Sequence, residues 1–233
     1  MTEDSPIIGV GSLQAQSATI QATGRVIANF AWQHMKSARL FNSHVSKIEA
    51  ATSGQGFGPF FEDIRSYASA SIMASAAALE ALINELFIDH EGKLRKSFQD
   101  FEVEFWGTSG VERLSILRKF QTALLRLNEP AFDPNDPIFL VADAAIQLRN
   151  MLVHYKPTWD PDRKAKADLV NYLDGRFALS PFPDQGADFI SMKCMSSGCT
   201  AWAIESVVAF VTKFNQRAKL DEKKINAFLH AGA

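Results

Sequence analysis

Apolar side chains recur along most of the chain at intervals of three and four residues, which is the spacing of one face of a helix. This period predicts helices over residues 25–51, 60–90, 111–128, 136–155, 163–173 and 200–219, and the second of these contains neither glycine nor proline. No segment shows sustained alternation with a period of two. The sequence therefore predicts an all-α fold, a bundle of about four to six helices.

Glycine and proline mark the ends of these helices. A glycine-rich break spans residues 53–59, and three prolines fall within residues 129–137. The helix over 136–155 is expected to stop before Pro157, because a residue that precedes proline disfavours helical geometry. Residues 175–198 are predicted to be an irregular segment before the last helix, with a short strand or two.

The same pattern suggests the domain organisation. Residues 1–24 lack clear periodicity and are expected to form a loose N-terminal arm. Residues 25–220 are expected to form a single helical domain, and residues 221–233 a C-terminal tail. A length of 233 residues suits one large domain better than two full ones.

Composition and charge narrow the classes of protein. A formal net charge of −2 and a pI near 6.2 argue against broad coating of nucleic acid, although a local positive pocket fits within that charge. The acidic N-terminus lacks the basic and apolar segments of a secretory signal. No run reaches the ~18–20 apolar residues that span a bilayer. We therefore expect a cytoplasmic protein without a membrane partner.

The two cysteines do not indicate a metal site. Cys194 and Cys199 are five residues apart, and no second pair of Cys or His completes the four ligands of structural zinc. Small buried thiols are the simpler interpretation. The sequence predicts no metal and no cofactor.

The predicted helix over residues 136–155 has an unusual arginine. A polar stripe follows spacings of four, three and four residues, and it comprises Asp143, Gln147, Asn150 and His154. Arg149 falls about 120° from this stripe, near the middle of the apolar arc. Because an arginine is not neutralised in practice, one on a burying face needs a carboxylate or a wet cleft. Glu80 lies on an apolar arc of the helix over 60–90 and is the candidate partner.

Two interpretations of Arg149 stay open at this point. One is a buried ion pair between Arg149 and Glu80, and the other is a polar pocket that holds Arg149, Asn150 and His154. His154 occupies the last turn of its helix, where the helix carbonyls favour a cation. In such a pocket the histidine can transfer protons while the arginine stabilises the charge of a phosphorane, which is a metal-free route to RNA cleavage.

The segment Arg149-Asn150-x-x-x-His154 resembles the R-x4–6-H motif of the HEPN superfamily, the higher eukaryotes and prokaryotes nucleotide-binding domain. The order of helices is also similar to that superfamily. A long alanine-rich helix that carries Glu80 and Asn84 precedes the motif helix, and an amphipathic helix follows it. The resemblance covers about residues 60–215.

This resemblance implies a helical bundle that often dimerises with its motif helices face to face. It also implies a metal-independent endoribonuclease, with RNA as the substrate and a composite site at the interface of a homodimer. By this likeness Arg149 and His154 are catalytic and Asn150 assists them, with Glu80, Asn84 and Tyr155 in supporting positions.

The family also includes toxins that an antitoxin partner controls. In some of them a tyrosine two residues after the histidine is modified by the antitoxin. This chain departs from that pattern, because Tyr155 directly follows His154 and Lys156 occupies the tyrosine's place. The resemblance therefore implies a toxin or defence effector with an antitoxin partner, but it puts control by this modification in doubt.

Basic residues near the motif are candidates for RNA binding. One group after the motif consists of Lys156, Arg163, Lys164 and Lys166, and a second group on the third helix consists of Arg113, Arg118, Lys119 and Arg126. Two rival interpretations remain. One is a non-catalytic module that binds a nucleotide or a protein, and the other is a structural bundle in which Arg149 and Glu80 form an internal pair.

Overall fold

The computed structural model describes residues 29–156, 164–220 and 222–232, and in these ranges the chain is helical without a strand. The predicted all-α fold is confirmed there. The helices are α1 (Phe30–Ala51), α2 (Phe60–Ile88), α3 (Lys93–Lys96), α4 (Phe101–Trp106), α5 (Ile116–Arg126), α6 (Pro137–Val153), α7 (Lys164–Leu173), α8 (Ser197–Ala218) and α9 (Glu222–Leu229), with a 3₁₀ turn at Val111–Arg113 and a π-helical turn at Phe189–Lys193. The arm predicted for residues 1–24 lies outside the described residues.

Helix α2 lies at the centre of the bundle. It packs most extensively on α1 and also contacts α8, α6, α5 and α3. Small side chains on its buried face allow α1 to approach closely, and the Ser71 hydroxyl donates a hydrogen bond of 2.8 Å to the Ala38 carbonyl of α1. By length and composition α2 is the one helix in the described residues that meets the criteria for crossing a membrane, and 56% of that apolar window is buried in the bundle.

Two groups of buried side chains form the core. The larger one surrounds the C-terminal half of α2, where Phe120 makes edge contacts with Phe210 at 5.0 Å and with Phe214 at 4.8 Å. The smaller one surrounds the N-terminal half of α2 and includes Phe61 and Leu148. Helix α6 contributes to both groups, because Ala142 belongs to the first and Ala144 and Leu148 belong to the second.

The bounds of the long helices agree with the sequence pattern. Helix α6 begins at Pro137, and the Asp136 side chain accepts a hydrogen bond of 3.0 Å from the Ile138 N–H. This cap satisfies an N–H group that has no partner inside the helix. The helix predicted over residues 111–128 is interrupted, because Leu114 and Ser115 are extended with ψ of 152° and 156°.

Short helical elements appear in segments where the sequence predicted no helix. Helix α4 has two side-chain caps at its start: Asp100 accepts from the Val103 N–H, and Glu104 accepts from the Gln99 and Asp100 N–H groups. The irregular segment 175–198 contains the π-helical turn and no strand. The strand prediction is therefore wrong. The Asp188 side chain caps this turn by accepting from the Ser191 N–H at 2.8 Å.

Residues 221–233, expected to be a tail, contain α9. Helix α9 packs on α1 and α8 and buries the side chains of Ile225, Phe228 and, just after the helix, Ala231. Their three-residue spacing gives α9 an apolar face to bury. The Arg39 guanidinium of α1 donates a hydrogen bond of 2.7 Å to the Leu229 carbonyl at the end of α9. The C-terminal segment therefore closes the bundle beside its first helix.

The N-terminus of α1 is held by a half-buried carboxylate. Asn29 makes no side-chain cap, and instead Glu85 of α2 accepts a hydrogen bond of 2.9 Å from the Ala31 N–H. Burial raises the pKa of the Glu85 carboxyl above its ordinary value of 4.5, and the bonds from the α1 backbone oppose this shift only in part.

Replacing Glu85 with glutamine is therefore expected to raise the unfolding temperature at pH 7. Glutamine keeps an oxygen acceptor for Ala31 and removes a charge that burial disfavours. Because the pKa is higher in the folded state, the wild-type protein gains stability as the pH falls through that value towards 4.5. The difference in unfolding temperature between Glu85→Gln and the wild type should therefore narrow as the pH falls from 7 to 4.5.

Thermal melting followed by circular dichroism between pH 7 and pH 4.5 measures this difference. The exposed Glu112→Gln change is the control, and it should show no such narrowing. A Glu85→Gln variant that is less stable at pH 7 would contradict the expectation.

Candidate functional site

Arg149 of α6 reaches across to α2 and pairs with Glu80. Its Nη2 atom lies 3.6 Å from Oε2 of Glu80, and the two side chains are 23% and 43% exposed. The sequence-based pairing is therefore present, but it lies at the edge of the helix interface and not inside the core. A pair this exposed contributes about 0–1 kcal/mol. The interpretation as a fully buried internal pair is not supported by this exposure.

One donor of the same arginine has no partner. The Nε–H group of Arg149 is buried and makes no hydrogen bond within the described residues. A buried guanidinium N–H without an acceptor costs free energy, because it has lost its water. Arg149 is thus held by one long contact, and its side chain keeps 23% exposure through which an anion can approach.

Asn150 and His154 lie on the exposed side of α6. The His154 N–H donates to the Asn150 carbonyl at 2.9 Å and ends the helix, and both side chains are exposed. The predicted polar stripe is present, since Gln147 is also exposed and donates to the Asp143 carboxylate. Within the described parts of a single chain, no hydrogen bond or ion pair joins Arg149 to Asn150 or His154.

Asn84 of α2 contacts α5, although Glu80 on the same helix contacts the motif helix α6. Its Oδ1 atom accepts a hydrogen bond of 2.9 Å from the ammonium group of Lys119 on α5. Lys119 is only 2% exposed, and no carboxylate lies within ion-pair distance of it in the described chain. Asn84 therefore stabilises a buried cation and does not point to the motif helix.

This burial corrects the interpretation of the basic group on the helix predicted over residues 111–128, which contains α5. Lys119 is inaccessible, and Arg126 is paired with Glu104 at 2.6 Å and stacked on Phe98. Lys119 and Arg126 therefore do not offer free charges to RNA, whereas Arg113 and Arg118 of the same group are exposed. Lys119 lies on the apolar face of α5 with Ile116 and Phe120, so its helical position already indicated burial.

Tyr155 borders a groove of about 270 Å³ between α2, the end of α6 and the π-helical turn. Its ring is 46% exposed, and its hydroxyl donates to the Ser191 hydroxyl at 3.3 Å. Apolar side chains of Met73, Leu152 and Met195 form part of the lining. The sequence pattern gave no sign of this groove, because it joins three segments that are far apart in the chain.

The basic group after the motif is described only in part. Lys156 is exposed beside Tyr155. Arg163 lies outside the described residues, and Lys164 begins α7 with a side chain that is also outside them. The role of these three residues in RNA binding remains a prediction.

Cys194 and Cys199 are both buried free thiols. Burial raises the pKa of the Cys199 thiol well above its ordinary range, and its neighbour Cys194 adds to that shift. In the described ranges no cluster of three or more His, Cys, Asp or Glu side chains is arranged to hold a metal ion.

Comparison of the chain with protein-family models, with curated proteins and with solved structures finds no match. The class that the structure defines is an all-helical bundle with α2 at its centre. The functional assignment accordingly depends on the residues of the α6 end.

Proposed function

We propose that this protein is a metal-independent endoribonuclease of the HEPN type, which cleaves RNA through Arg149 and His154. The observation that supports the proposal is the position of both residues at the accessible end of α6. His154 is exposed there, and Arg149 is 23% exposed and has one long ionic contact. Both groups are therefore available to a phosphate without unfolding of the bundle.

The proposed reaction uses only these side chains. His154 removes the proton from a ribose 2′-hydroxyl, the 2′-oxygen attacks phosphorus, and the bond from phosphorus to the 5′-oxygen breaks. The leaving 5′-oxygen takes a proton from an imidazolium, and the products carry a 2′,3′-cyclic phosphate and a 5′-hydroxyl. Arg149 stabilises the additional negative charge of the phosphorane, and the Asn150 amide assists by donating a hydrogen bond.

We further propose that the active form is a homodimer, because Arg149 and His154 occupy different faces of one α6. A second copy placed face to face brings a histidine of one chain towards an arginine of the other. The exposed apolar side chains of Leu140 and Val153, 38% and 48% exposed, lie on the same helix. In the proposed dimer they would add apolar contact area to the interface.

Light scattering is expected to give about twice the chain mass of 25.8 kDa. A Val153→Glu change should shift the protein to monomer, because it places a charge on the proposed contact surface. Val103→Glu is the matched control, since Val103 is 65% exposed on α4 and should leave the mass unchanged. A monomeric wild type at micromolar concentration would exclude the composite site.

The direct test incubates the purified protein with a broad panel of RNAs in EDTA. We expect cleavage that leaves 2′,3′-cyclic phosphate ends, identified by mass spectrometry of the products. Cleavage that depends on added Mg²⁺, or intact RNA throughout the panel, would contradict the proposal.

The second candidate function is a non-catalytic module that binds a nucleotide or a protein. It is favoured by the contact between Arg149 and Glu80, which occupies the arginine, and by the separation of Arg149 from His154 on the helix. Under this alternative the protein binds an RNA oligonucleotide but leaves it intact.

A further inference from the structure

We propose that the groove beside Tyr155 is a subsite for one nucleobase of single-stranded RNA, next to the phosphate that is cleaved. The inference rests on the proposed endoribonuclease function and specifies how the substrate is held. The groove of about 270 Å³ lies between α2, the end of α6 and the π-helical turn, and Tyr155 directly follows His154 in the chain.

The lining offers a stacking surface for a flat aromatic ring. Tyr155 is 46% exposed, and Met73, Leu152 and Met195 provide apolar contacts beside it. Unstacked bases of single-stranded RNA bind proteins through aromatic side chains in this way, and the interaction tolerates any base because each has a π face. The tyrosine ring is oriented by its bond to Ser191, which in turn donates to Asp188 at 2.9 Å.

Hydroxyl groups line the same groove on the α2 side. Ser66 and Ser69 each donate to a backbone carbonyl of their own helix, at 2.9 Å and 3.1 Å. Because a hydroxyl has one donor and two acceptor positions, both oxygens remain able to accept hydrogen bonds. The amino group of a base is a suitable donor to them. The groove thus combines an apolar stacking surface with polar edges.

A cation borders the groove where a phosphate of the strand would pass. Arg65 is 46% exposed, and its Nη1 atom lies 3.5 Å from Oε1 of Glu62 in a weak surface pair. A phosphate binds a guanidinium through two parallel hydrogen bonds and therefore competes well with this carboxylate. Glu62 at 72% exposure is expected to weaken that contact by repulsion.

Binding is measured with a fluorescein-labelled 2′-O-methyl hexanucleotide, whose blocked 2′-oxygens prevent cleavage. By fluorescence anisotropy, Tyr155→Ala is expected to lower the affinity about 10-fold, and Tyr155→Phe to restore most of it. Arg65→Gln should weaken binding and reduce its dependence on salt, whereas Glu62→Gln should strengthen binding. Trp106→Ala is the matched control, since Trp106 is 48% exposed on α4, and it should leave the affinity unchanged.

The outcomes separate the subsite from the nuclease. Equal affinities of Tyr155→Ala and wild type, or no binding by the wild type, would overturn the subsite, and the nuclease proposal would still stand if RNA is cleaved in EDTA. The expected pattern of affinities without any cleavage of ordinary RNA would support the subsite and overturn the nuclease. Circular dichroism of each variant confirms that the fold is kept.

Discussion

Replacing His154 with alanine is expected to slow RNA cleavage by about 100- to 10,000-fold, which is the usual contribution of a positioned general acid or base. The side chain is exposed at the end of α6, so its removal leaves no cavity in the core. The unfolding temperature should therefore stay close to that of the wild type. Initial rates on a fluorogenic RNA in EDTA, measured beside thermal melting, separate lost chemistry from lost stability.

The chain contains a matched control for this experiment. His230 follows α9 as His154 follows α6, and each donates its N–H to the carbonyl of an asparagine four residues earlier, Asn226 and Asn150. His230 is also exposed, but Ile225 stands where the motif has its arginine. His230→Ala should therefore cleave at the wild-type rate. Equal losses in both histidine variants would contradict a catalytic role for His154.

Arg149 is tested by comparison with its ionic partner. If the arginine binds the phosphorane, Arg149→Ala should lower the cleavage rate by about 100-fold or more, whereas Glu80→Gln should not. If the pair is only structural, both changes should have the same small effect, because each removes the same half-exposed contact.

Replacing Asn84 with leucine is expected to lower the free energy of unfolding by about 3 kcal/mol, since it leaves the Lys119 ammonium buried without an acceptor. Lys119→Met should cost far less, because it replaces the buried cation with an apolar side chain of similar length. The double variant should recover most of the stability that Asn84→Leu loses. Urea unfolding of the four proteins measures each value.

The interaction free energy between Asn84 and Lys119 decides whether this prediction holds. A strong interaction makes the double variant much more stable than the sum of the single effects implies. If the two effects add within about 0.5 kcal/mol, the contact between Lys119 and Asn84 does not stabilise the fold. The cycle thus tests the burial of Lys119 independently of any RNA experiment.

The long helices were predictable because their periods repeat many times. Helix α2 has 29 residues and α6 has 17, so apolar spacing, together with Pro59 before α2 and Pro137 at the start of α6, was sufficient to locate them. Helices α3 and α4, with 4 and 6 residues, are too short for a period to be visible. Local caps and aromatic contacts with distant residues determine such elements instead.

The candidate site was likewise predictable in part. A charged residue on an apolar arc predicted the contact between Arg149 and Glu80, and the same reasoning applied to Lys119 predicts its burial. The degree of exposure was not predictable, because it depends on how neighbouring helices flank the pair. The groove at Tyr155 was not predictable either, since Ser191 is 36 residues away and belongs to an irregular segment.

The contact between α1 and α9 has a consequence for how the protein is made. Arg39 bonds to Leu229, which is 190 residues later in the chain. During translation α1 can pair with α2 early, but its contact with α9 has to wait until about 190 further residues have been made. Until then the surface of α1 that α9 covers stays exposed, so this side of the bundle forms late. Chains that stop before α9 therefore lack this contact, and proteases can distinguish them by the exposed surface of α1.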